Sequence, residues 1–310
     1  MAKIAVELKR VLAQAPGDSW GHTRARVLAR GDGWTVEDVI CTRGPRDRPF
    51  EEQHTPAAIA LVTAGSFQYR SAAGRAVMTP GSLMLGNPGQ RFECEHDHGV
   101  GDRCLAFRYA PAYFERIAAD AGVRGATPGF GVLRLPPLRS LSPLVARACA
   151  ALAGSVEVAW EELGVQLAVQ AVQLTRGLAS HRSDAPSAAI ARVTRTIRLI
   201  EQNPDAGLTL GALSREAGLS PYHFLRTFER LTGVTPHQFV LRARLRQAAL
   251  RLCAEPTKVL DIALDCGFGD VSNFNRTFRA EFHVSPRLYR RQMARRDGER
   301  STSLARTPGS

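Results

Sequence analysis

The sequence predicts a two-domain protein of the β + α class. A small β-barrel with a helical appendage comes first, then an all-α domain of two helix-turn-helix modules joined by a linker helix. Three observations predict this. A length of 310 residues fits about two domains. Short strand-like runs separated by Gly and Pro fill residues 22–109 and give way to helical periodicity. A motif near the C-terminus returns 50 residues later.

The first strand-like region has β-branched and aromatic runs between turn residues. Gly65, Gly74 and Pro80-Gly81 mark turns, and strands at such spacing suggest a small barrel or sandwich. The predicted strands are Thr35–Ile40, Ile59–Thr63, Ser66–Tyr69, Ser82–Leu85 and Cys104–Tyr109.

Three helical patterns follow the strands, in residues 112–121, 143–153 and 157–178. The last has an apolar seam that could dock on its own barrel or on a second protomer. A polar stretch, Ala179–Ser187, then marks a boundary, so we place the domains at residues 1–180 and 187–296. The seam consists of Leu163, Leu167, Gln170 and Leu174.

The repeat near the C-terminus predicts a duplicated pair of short helices, at about 209–232 and 258–282. Each copy has helix stop and start signals a few residues apart, Gly218 with Ser220-Pro221 and Gly267 with Asp270. Two helices across so short a turn form a helix-turn-helix. The stripe of the first helix is Leu210, Leu213 and Ala217, and its counterpart is Ile262, Ala263 and Cys266. The predicted structural core of the modules comprises Phe224, Phe228, Phe274, Phe278, Pro236 and Pro286.

Two longer helices complete this domain. Thr235-Pro236 opens a linker helix between the modules, and another helix precedes them. Their apolar positions are Leu241, Leu245, Ala248 and Leu252, and Ile190, Val193, Ile197 and Ile200.

The second helix of each module leaves a polar face outside its apolar stripe. Arg226 and Arg276 lie there, and Arg matches the O6 and N7 acceptors of guanine in a major groove. Asn275 could pair with adenine, while Ser272 and Tyr222 could hold phosphate. Charge agrees, because residues 186–296 contain 18 Lys or Arg against 9 Asp or Glu in a chain of net charge +12.

The stretch from Leu208 to Arg291 resembles the DNA-binding domain of the AraC/XylS transcription regulators. The resemblance rests on LSPYHFLRTFERLTGVTPHQFV and DIALDCGFGDVSNFNRTFRAEFHVSPRLYRR. It implies a seven-helix domain that places two recognition helices in successive major grooves of promoter DNA. Leu225 and Val271 stand where relatives often have polar residues, so they could offer only apolar contacts. Carried over, the base-reading positions are Tyr222, Leu225, Arg226, Val271, Ser272, Asn275 and Arg276.

The order of Gly65, Tyr69, Gly74 and Pro80-Gly81 resembles, more loosely, the cupin-like N-terminal half of these regulators. The resemblance implies a small-molecule effector at the barrel mouth, contact with RNA polymerase, and a homodimer. Activation is the commoner role among relatives. The sequence therefore predicts an effector-responsive transcription regulator rather than an enzyme.

Two alternatives differ in class. A metal-dependent enzyme domain fused to a DNA-binding module would need the candidate ligands Cys94, His96 and His98, with Cys104 or His54 completing the shell. Their order departs from the usual cupin metal motif, so we predict no metal and no cofactor. A DNA-binding structural protein without effector is the other alternative.

The remaining signals concern the cell compartment. The charged first residues do not resemble a signal peptide, and no apolar run reaches the ~18 residues that span a bilayer, so we expect a cytoplasmic protein without membrane contact. Six scattered cysteines do not resemble a disulfide framework, and Cys253 and Cys266 lie in helical stripes as expected core residues.

Overall fold

The computed structural model describes residues 8, 10–13, 21–49, 51–96, 101–123, 129–176, 178 and 185–294. In this part of the chain ten strands form two antiparallel sheets. The larger sheet has the order β1-β2-β9-β4-β7-β10, and the smaller has β3-β8-β5-β6. The strands are β1 (Thr23–Gly31), β2 (Trp34–Cys41), β3 (Glu51–Gln53), β4 (Ala57–Gly65), β5 (Phe67–Ser71), β6 (Gly74–Met78), β7 (Leu83–Gly86), β8 (Arg91–Glu95), β9 (Asp102–Tyr109) and β10 (Arg134–Leu135).

Strand β4, within the larger sheet, is buried on both faces. Since side chains alternate along a strand, β4 sends Ala60 and Val62 between the two sheets and Ile59 and Leu61 to the opposite face. The inner residues form an apolar cluster with β5, β6 and β8. The outer residues pack against helices, which explains why β4 reads as an almost continuous apolar run.

Between β9 and residue 176, the described residues form the α-helices α1 (Pro111–Asp120), α2 (Ser142–Leu152) and α3 (Trp160–Thr175). In α3, Leu163 and Leu167 are fully buried, and the Tyr109 hydroxyl donates a 2.8 Å hydrogen bond to the Gly164 carbonyl. The seam predicted in this helix therefore docks on its own barrel.

Seven helical segments follow within residues 185–294. Phe224, Phe228, Phe274 and Phe278 are fully buried, while Leu210 is 41% exposed at the first position of its helix, so its predicted place in the apolar stripe is wrong. The segments are α4 (Ser187–Gln202), α5 (Leu210–Ala217), α6 (Pro221–Thr232), α7 (Pro236–Ala254), α8 (Val259–Asp265), α9 (Val271–Phe282) and residues 286–294.

The helix boundaries follow the predicted signals. The side chains of Ser220, Thr235 and Asp270 cap α6, α7 and α9, and Thr235 forms a capping box with Gln238. Gly218 ends α5 in the left-handed conformation at φ 62°. The two-domain β + α fold class that the sequence predicts is confirmed.

Two apolar clusters each join the barrel domain to one of the modules. Helix α2 lies against α7, and its Val145, Ala148 and Cys149 belong to the same buried cluster as Leu245 and Phe278. On the other module, Val77 of β6 joins the cluster around α6. The barrel domain therefore contacts both helix-turn-helix modules through apolar packing.

Candidate nucleic-acid interface and ligand site

The first recognition helix, α6, presents a polar face because its apolar stripe is committed to the module core. Tyr222 is 62% exposed and Arg226 is exposed, while Leu225 is half-buried between them. The Arg226 guanidinium donates to the Tyr222 hydroxyl at 3.0 Å and lies 5.7 Å from the centre of its ring. The structure therefore brings these predicted residues together on one face.

The second recognition helix, α9, has the same design. Phe274 packs inward, and Ser272, Asn275 and Arg276 are exposed. The guanidinium of Arg276 donates to Asn273 Oδ1 at 3.1 Å, so this arginine too is held by its own helix. Val271 is half-buried at the helix start.

A basic groove surrounds α9 and extends beyond the predicted residues. Lys258, Arg279 and Arg287 line it, with Asn275 and Arg276 on its wall. Residues 286–294 begin a helix beside it, where Ser285 Oγ accepts from the Leu288 amide at 3.3 Å. Helix starts and arginines both attract phosphate. Sequence reasoning did not assign Lys258 and Arg287, although Ser285-Pro286 is a helix start signal that places Arg287 in the first turn of a helix beside the module.

Two prolines that lie 50 residues apart, one in each module, support these helices. Pro236 and Pro286 are both buried at helix starts, where a missing amide hydrogen is tolerated. They hold the linker helix and the last helical segment against the modules that precede them.

Both recognition helices end on the barrel domain. Arg134 of β10 donates to the Val77 carbonyl at 2.5 Å and to the Leu231 carbonyl, in the last turn of α6, at 2.7 Å. Arg139 donates to the Ala280 carbonyl in the last turn of α9. Cations are favourable at such carbonyl ends. These contacts leave the polar faces of both helices open.

The barrel domain has a cavity of about 640 Å³ on the outer side of its larger sheet. Arg24, Arg26, Asp38 and Arg103 line it, and Leu152 at the end of α2 closes one side. Arg103 and Asp38 form a buried bidentate pair with N···O distances of 2.8 and 2.9 Å. Its size suits a small ligand, and its walls carry excess positive charge.

The residues weighed as metal ligands are only partly together. His96 lies with Asp102 and Cys41, which the sequence did not suggest, and His98 is outside the described residues. His54 points elsewhere, because its Nε2 lies 2.9 Å from the Tyr69 hydroxyl. Of the grouping that the sequence suggested, Cys94, His96 and His98 with Cys104 or His54, the structure places His96 and Cys104 in the cluster, and Cys41 and Asp102 join them because they face each other across β2 and β9.

Burial and hydrogen bonding shift the pKa values of the groups in this buried cluster. Burial alone would lower the pKa of His96, but its hydrogen bonds to Asp102 and Cys41 raise that pKa to about 10. The protonated ring therefore donates from Nε2 to Asp102 Oδ2 at 2.7 Å. Burial and the Asp102 carboxylate raise the pKa of the Cys104 thiol well above its usual range. All six cysteines are free, as expected.

A strand-rich domain joined to twin helix-turn-helix modules with exposed recognition helices defines the class of two-domain DNA-binding regulators. Two family models match accordingly: an AraC-like ligand binding domain over residues 36–171 and a helix-turn-helix domain over residues 213–292. The chain belongs to the AraC family of transcription regulators.

Similar proteins agree with this membership. The transcriptional activator NphR of Rhodococcus sp is 41% identical over 107 residues, which are 33% of this chain and 31% of NphR. The HTH-type transcriptional regulator MtrA of Neisseria gonorrhoeae is 32% identical over 33% of this chain and 34% of MtrA. The Transposon Tn10 TetD protein of Escherichia coli is 37% identical over 30% of this chain and 67% of TetD. The chain thus spans about a third of NphR and MtrA.

Among the described residues, no helix combines the length and the apolar character needed to cross a bilayer.

Proposed function

We propose that the protein regulates transcription by reading two successive major grooves of promoter DNA with α6 and α9, in response to a small-molecule effector. The observation that carries the proposal is the pair of exposed arginine-bearing faces on modules whose phenylalanines are fully buried. Family membership supports a regulator and not a metal-dependent enzyme. Activation is the direction that the similarity to NphR favours.

Each polar face supplies an arginine for base contact. Arg226 and Arg276 each pair with guanine in the major groove, and Asn275 pairs with adenine. Tyr222 and Ser272 hold phosphate, and the groove residues Lys258, Arg279 and Arg287 add further phosphate contacts. The apolar side chains Leu225 and Val271 contact thymine methyl groups.

Effector control passes through the contacts between the halves. A ligand in the barrel domain that favours one arrangement of Arg134 and Arg139 changes how the two recognition helices are held. The changed arrangement alters affinity for DNA or contact with RNA polymerase. The protein works in the cytoplasm, where promoter DNA is accessible. A homodimer would need a surface other than the apolar seam of α3, because that seam is used within the chain.

The test is binding to the intergenic DNA beside the gene, by footprinting and by fluorescence anisotropy. Arg226→Ala and Arg276→Ala should each cost about 1 to 3 kcal/mol, or about 5- to 150-fold, on the specific site. The lost protection should fall about one helical turn apart for the two variants. Arg116→Ala, which removes the same charge from an exposed position on α1, is the matched control.

DNA reading by the two helices and control by an effector can fail independently. If both recognition-helix variants footprint like the parent protein, the assigned faces are wrong. If the parent binds its promoter with the same affinity in the presence and absence of every tested metabolite of neighbouring genes, the claim of effector control fails.

A further inference from the structure

One end of the barrel interior holds a cluster of metal-binding side chains. Cys41, His96 and Asp102 are all buried, and one ligand atom from each lies within 4.8 Å of the other two. Cys104 extends the cluster, with its Sγ 3.2 Å from Asp102 Oδ1. The base-reading surface uses none of these residues.

The sheet topology builds this cluster. Cys41 at the end of β2 is directly opposite Asp102 at the start of β9, so both side chains leave the sheet on the same face. Cys104 lies two residues along β9 and shares that face, while His96 comes from the end of β8 in the other sheet. The two sheets thus bring their potential metal ligands together at one point.

The backbone at this point is fitted to the arrangement. Gly101, immediately before Asp102, has φ 68°, and a Cβ placed there would lie 2.7 Å from the Cys41 carbonyl oxygen. A residue with a side chain would therefore force β2 and β9 apart at the cluster.

The donor set is chemically selective. One imidazole, one carboxylate and one or two thiols are the ligands of tetrahedral Zn²⁺, which is bound at about 2.0 to 2.3 Å. Ligand atoms around such an ion lie roughly 3 to 4 Å apart by the same geometry, so small side-chain rotations suffice here. Thiols disfavour Mg²⁺ and Ca²⁺, which take oxygen ligands.

The surroundings argue against a purely packing role. Apolar inner-face residues, among them Val62, Phe67 and Met78, pack beside the cluster. Burying a carboxylate and an imidazole beside them costs several kcal/mol of desolvation per ion in typical proteins. Apolar side chains of similar volume would pack there without that cost, so the cluster calls for a binding role.

We propose that Cys41, His96 and Asp102, with Cys104 as the fourth donor, bind one thiophilic divalent cation of the Zn²⁺ class. No oxidation or reduction is involved. The ion replaces the S–H protons of Cys41 and Cys104 and the proton shared by His96 and Asp102, and these protons leave to solvent. The site uses Asp102 and Cys41 where the sequence pattern suggested Cys94 and His98.

The inference extends to regulation, and in this respect it rests on the proposed function. The cluster lies within the part of the chain that matches a ligand-binding domain. Clamping β2, β8 and β9 together would order the barrel that holds Arg134 and thereby α6. The cation is then the effector, or a cofactor that the effector requires.

The test uses full-length protein, stripped of metal with a chelator and titrated with Co²⁺. We expect one equivalent to give a near-ultraviolet thiolate-to-cobalt charge-transfer band with intense visible bands of a tetrahedral ion, and Zn²⁺ to displace it. Cys41→Ser and Asp102→Asn should abolish tight binding or weaken it at least 10- to 100-fold. Cys253→Ser, in the linker helix, should bind like the parent protein.

Circular dichroism of each variant separates lost ligands from lost folding. Should Cys41→Ser fail to fold, X-ray absorption of the parent Co²⁺ complex decides, because sulfur and nitrogen must appear in its coordination shell. A parent protein with no thiolate band, an all-oxygen shell, or binding that is unchanged in folded Cys41→Ser and Asp102→Asn overturns the site.

Promoter binding tests the regulatory part separately. Zn²⁺ should change the affinity of the parent for its DNA at least severalfold and leave Cys41→Ser unaffected. Cobalt binding without any Zn²⁺ effect on DNA overturns the regulatory part alone. Unaltered footprints in both Arg226→Ala and Arg276→Ala contradict the proposed function, and leave the cobalt result to decide the metal site.

Discussion

His283 has the left-handed backbone conformation at the end of the second recognition helix. Its φ is 63°, and Gly233 occupies the corresponding position of the first module at φ 79°. In each case the amide donates to the carbonyl four residues earlier, that of Arg279 or Glu229. The duplicated module requires this conformation, and only the first copy has the residue that adopts it without steric cost.

His283→Gly should therefore stabilise the protein. The left-handed conformation costs a non-glycine residue about 1 to 2 kcal/mol, which the substitution removes. Glycine has more conformational freedom in the unfolded state, which offsets about 0.5 to 1 kcal/mol of this stabilisation. We expect a net increase of roughly 0.5 to 1 kcal/mol in the free energy of unfolding by urea.

Gly233→Ala is the matched control in the first module. It should destabilise, because the new Cβ would lie 2.5 Å from Pro136 Cγ as well as at positive φ. A His283→Gly protein no more stable than the parent would mean that the His283 side chain makes a compensating contact.

His54 gives the barrel a pH-dependent stability. Burial and then the charge of Arg108 lower the pKa of its imidazole to about 4. The folded state thus binds fewer protons than the unfolded state between pH 4 and the unfolded pKa of 6.5. The contribution is present above pH 6.5 and is lost as the pH falls towards 4, up to about 3 kcal/mol.

Urea unfolding of the parent and of His54→Gln, between about pH 7 and pH 4.5, tests this sign. Glutamine can still face the Tyr69 hydroxyl but does not titrate. The stability of the parent should fall more steeply on acidification. Parallel curves for the two proteins would show that His54 is not the titrating group.

At the scale of elements, the helices could be predicted from local sequence signals. Strands that depend on pairing with distant parts of the chain could not all be predicted. The caps Ser220 and Asp270 and the apolar spacing are encoded within each helix, so the modules could be predicted from the sequence. Strand β1, with the sequence TRARVLARG, could not be predicted, because its strand conformation comes from pairing with β2.

The candidate sites divide in the same way. The polar faces of α6 and α9 follow from helical periodicity, so the exposed positions of Arg226 and Arg276 could be anticipated. The opposition of Cys41 and Asp102 depends on the register of two strands 61 residues apart in the chain, which periodicity does not encode. The contacts of Arg134 and Arg139 depend on domain docking and have no local signature.

The second module depends on an aromatic cluster centred on α9. The centre of the Phe278 ring lies 5.4 Å from the ring centre of Phe274, 4.3 Å from that of Phe282 and 5.4 Å from that of Tyr289. Phe278 itself is fully buried. Phe278→Ala should lower the free energy of unfolding by about 3 to 5 kcal/mol, because it leaves a cavity in this cluster.

Hydrogen exchange measures whether the loss is local to the module. Amides of residues 259–294 should exchange faster in Phe278→Ala, and Phe278→Leu, which keeps most of the volume, should show less than half the effect. A change confined to the barrel would contradict the assignment of Phe278 to the module core.

At the scale of the whole molecule, the barrel holds both recognition helices by their carbonyl ends. Arg134 binds the last turn of α6, and Arg139 and Ser142 bind the last turn of α9 at Ala280 and Glu281. The Leu231 and Ala280 carbonyls that the two arginines bind are 49 residues apart, one position short of the 50-residue repeat, so nearly the same point of each duplicated helix is used. The duplication that produced two recognition helices thus also produced two points at which the barrel domain binds.

Loss of one docking point should loosen one module and spare the other. A charge-assisted hydrogen bond contributes about 1.5 to 3 kcal/mol, so in Arg134→Met the amides in the last turn of α6 should exchange about 10- to 150-fold faster. Exchange in α9 should not change, because Arg139 and Ser142 remain. Arg116→Met, an exposed substitution on α1, is the control for loss of charge.

The double variant Arg134→Met/Arg139→Met extends this prediction to both modules. Both last turns should then exchange faster, while amides at the start of α7, held by the Thr235 capping box, keep the parent rate. If α6 and α9 exchange at the parent rate in the double variant, the halves are joined by apolar packing through α2 and Val77 and by the Ser142–Glu281 hydrogen bond, and the arginines do not transmit the state of the barrel to the recognition helices.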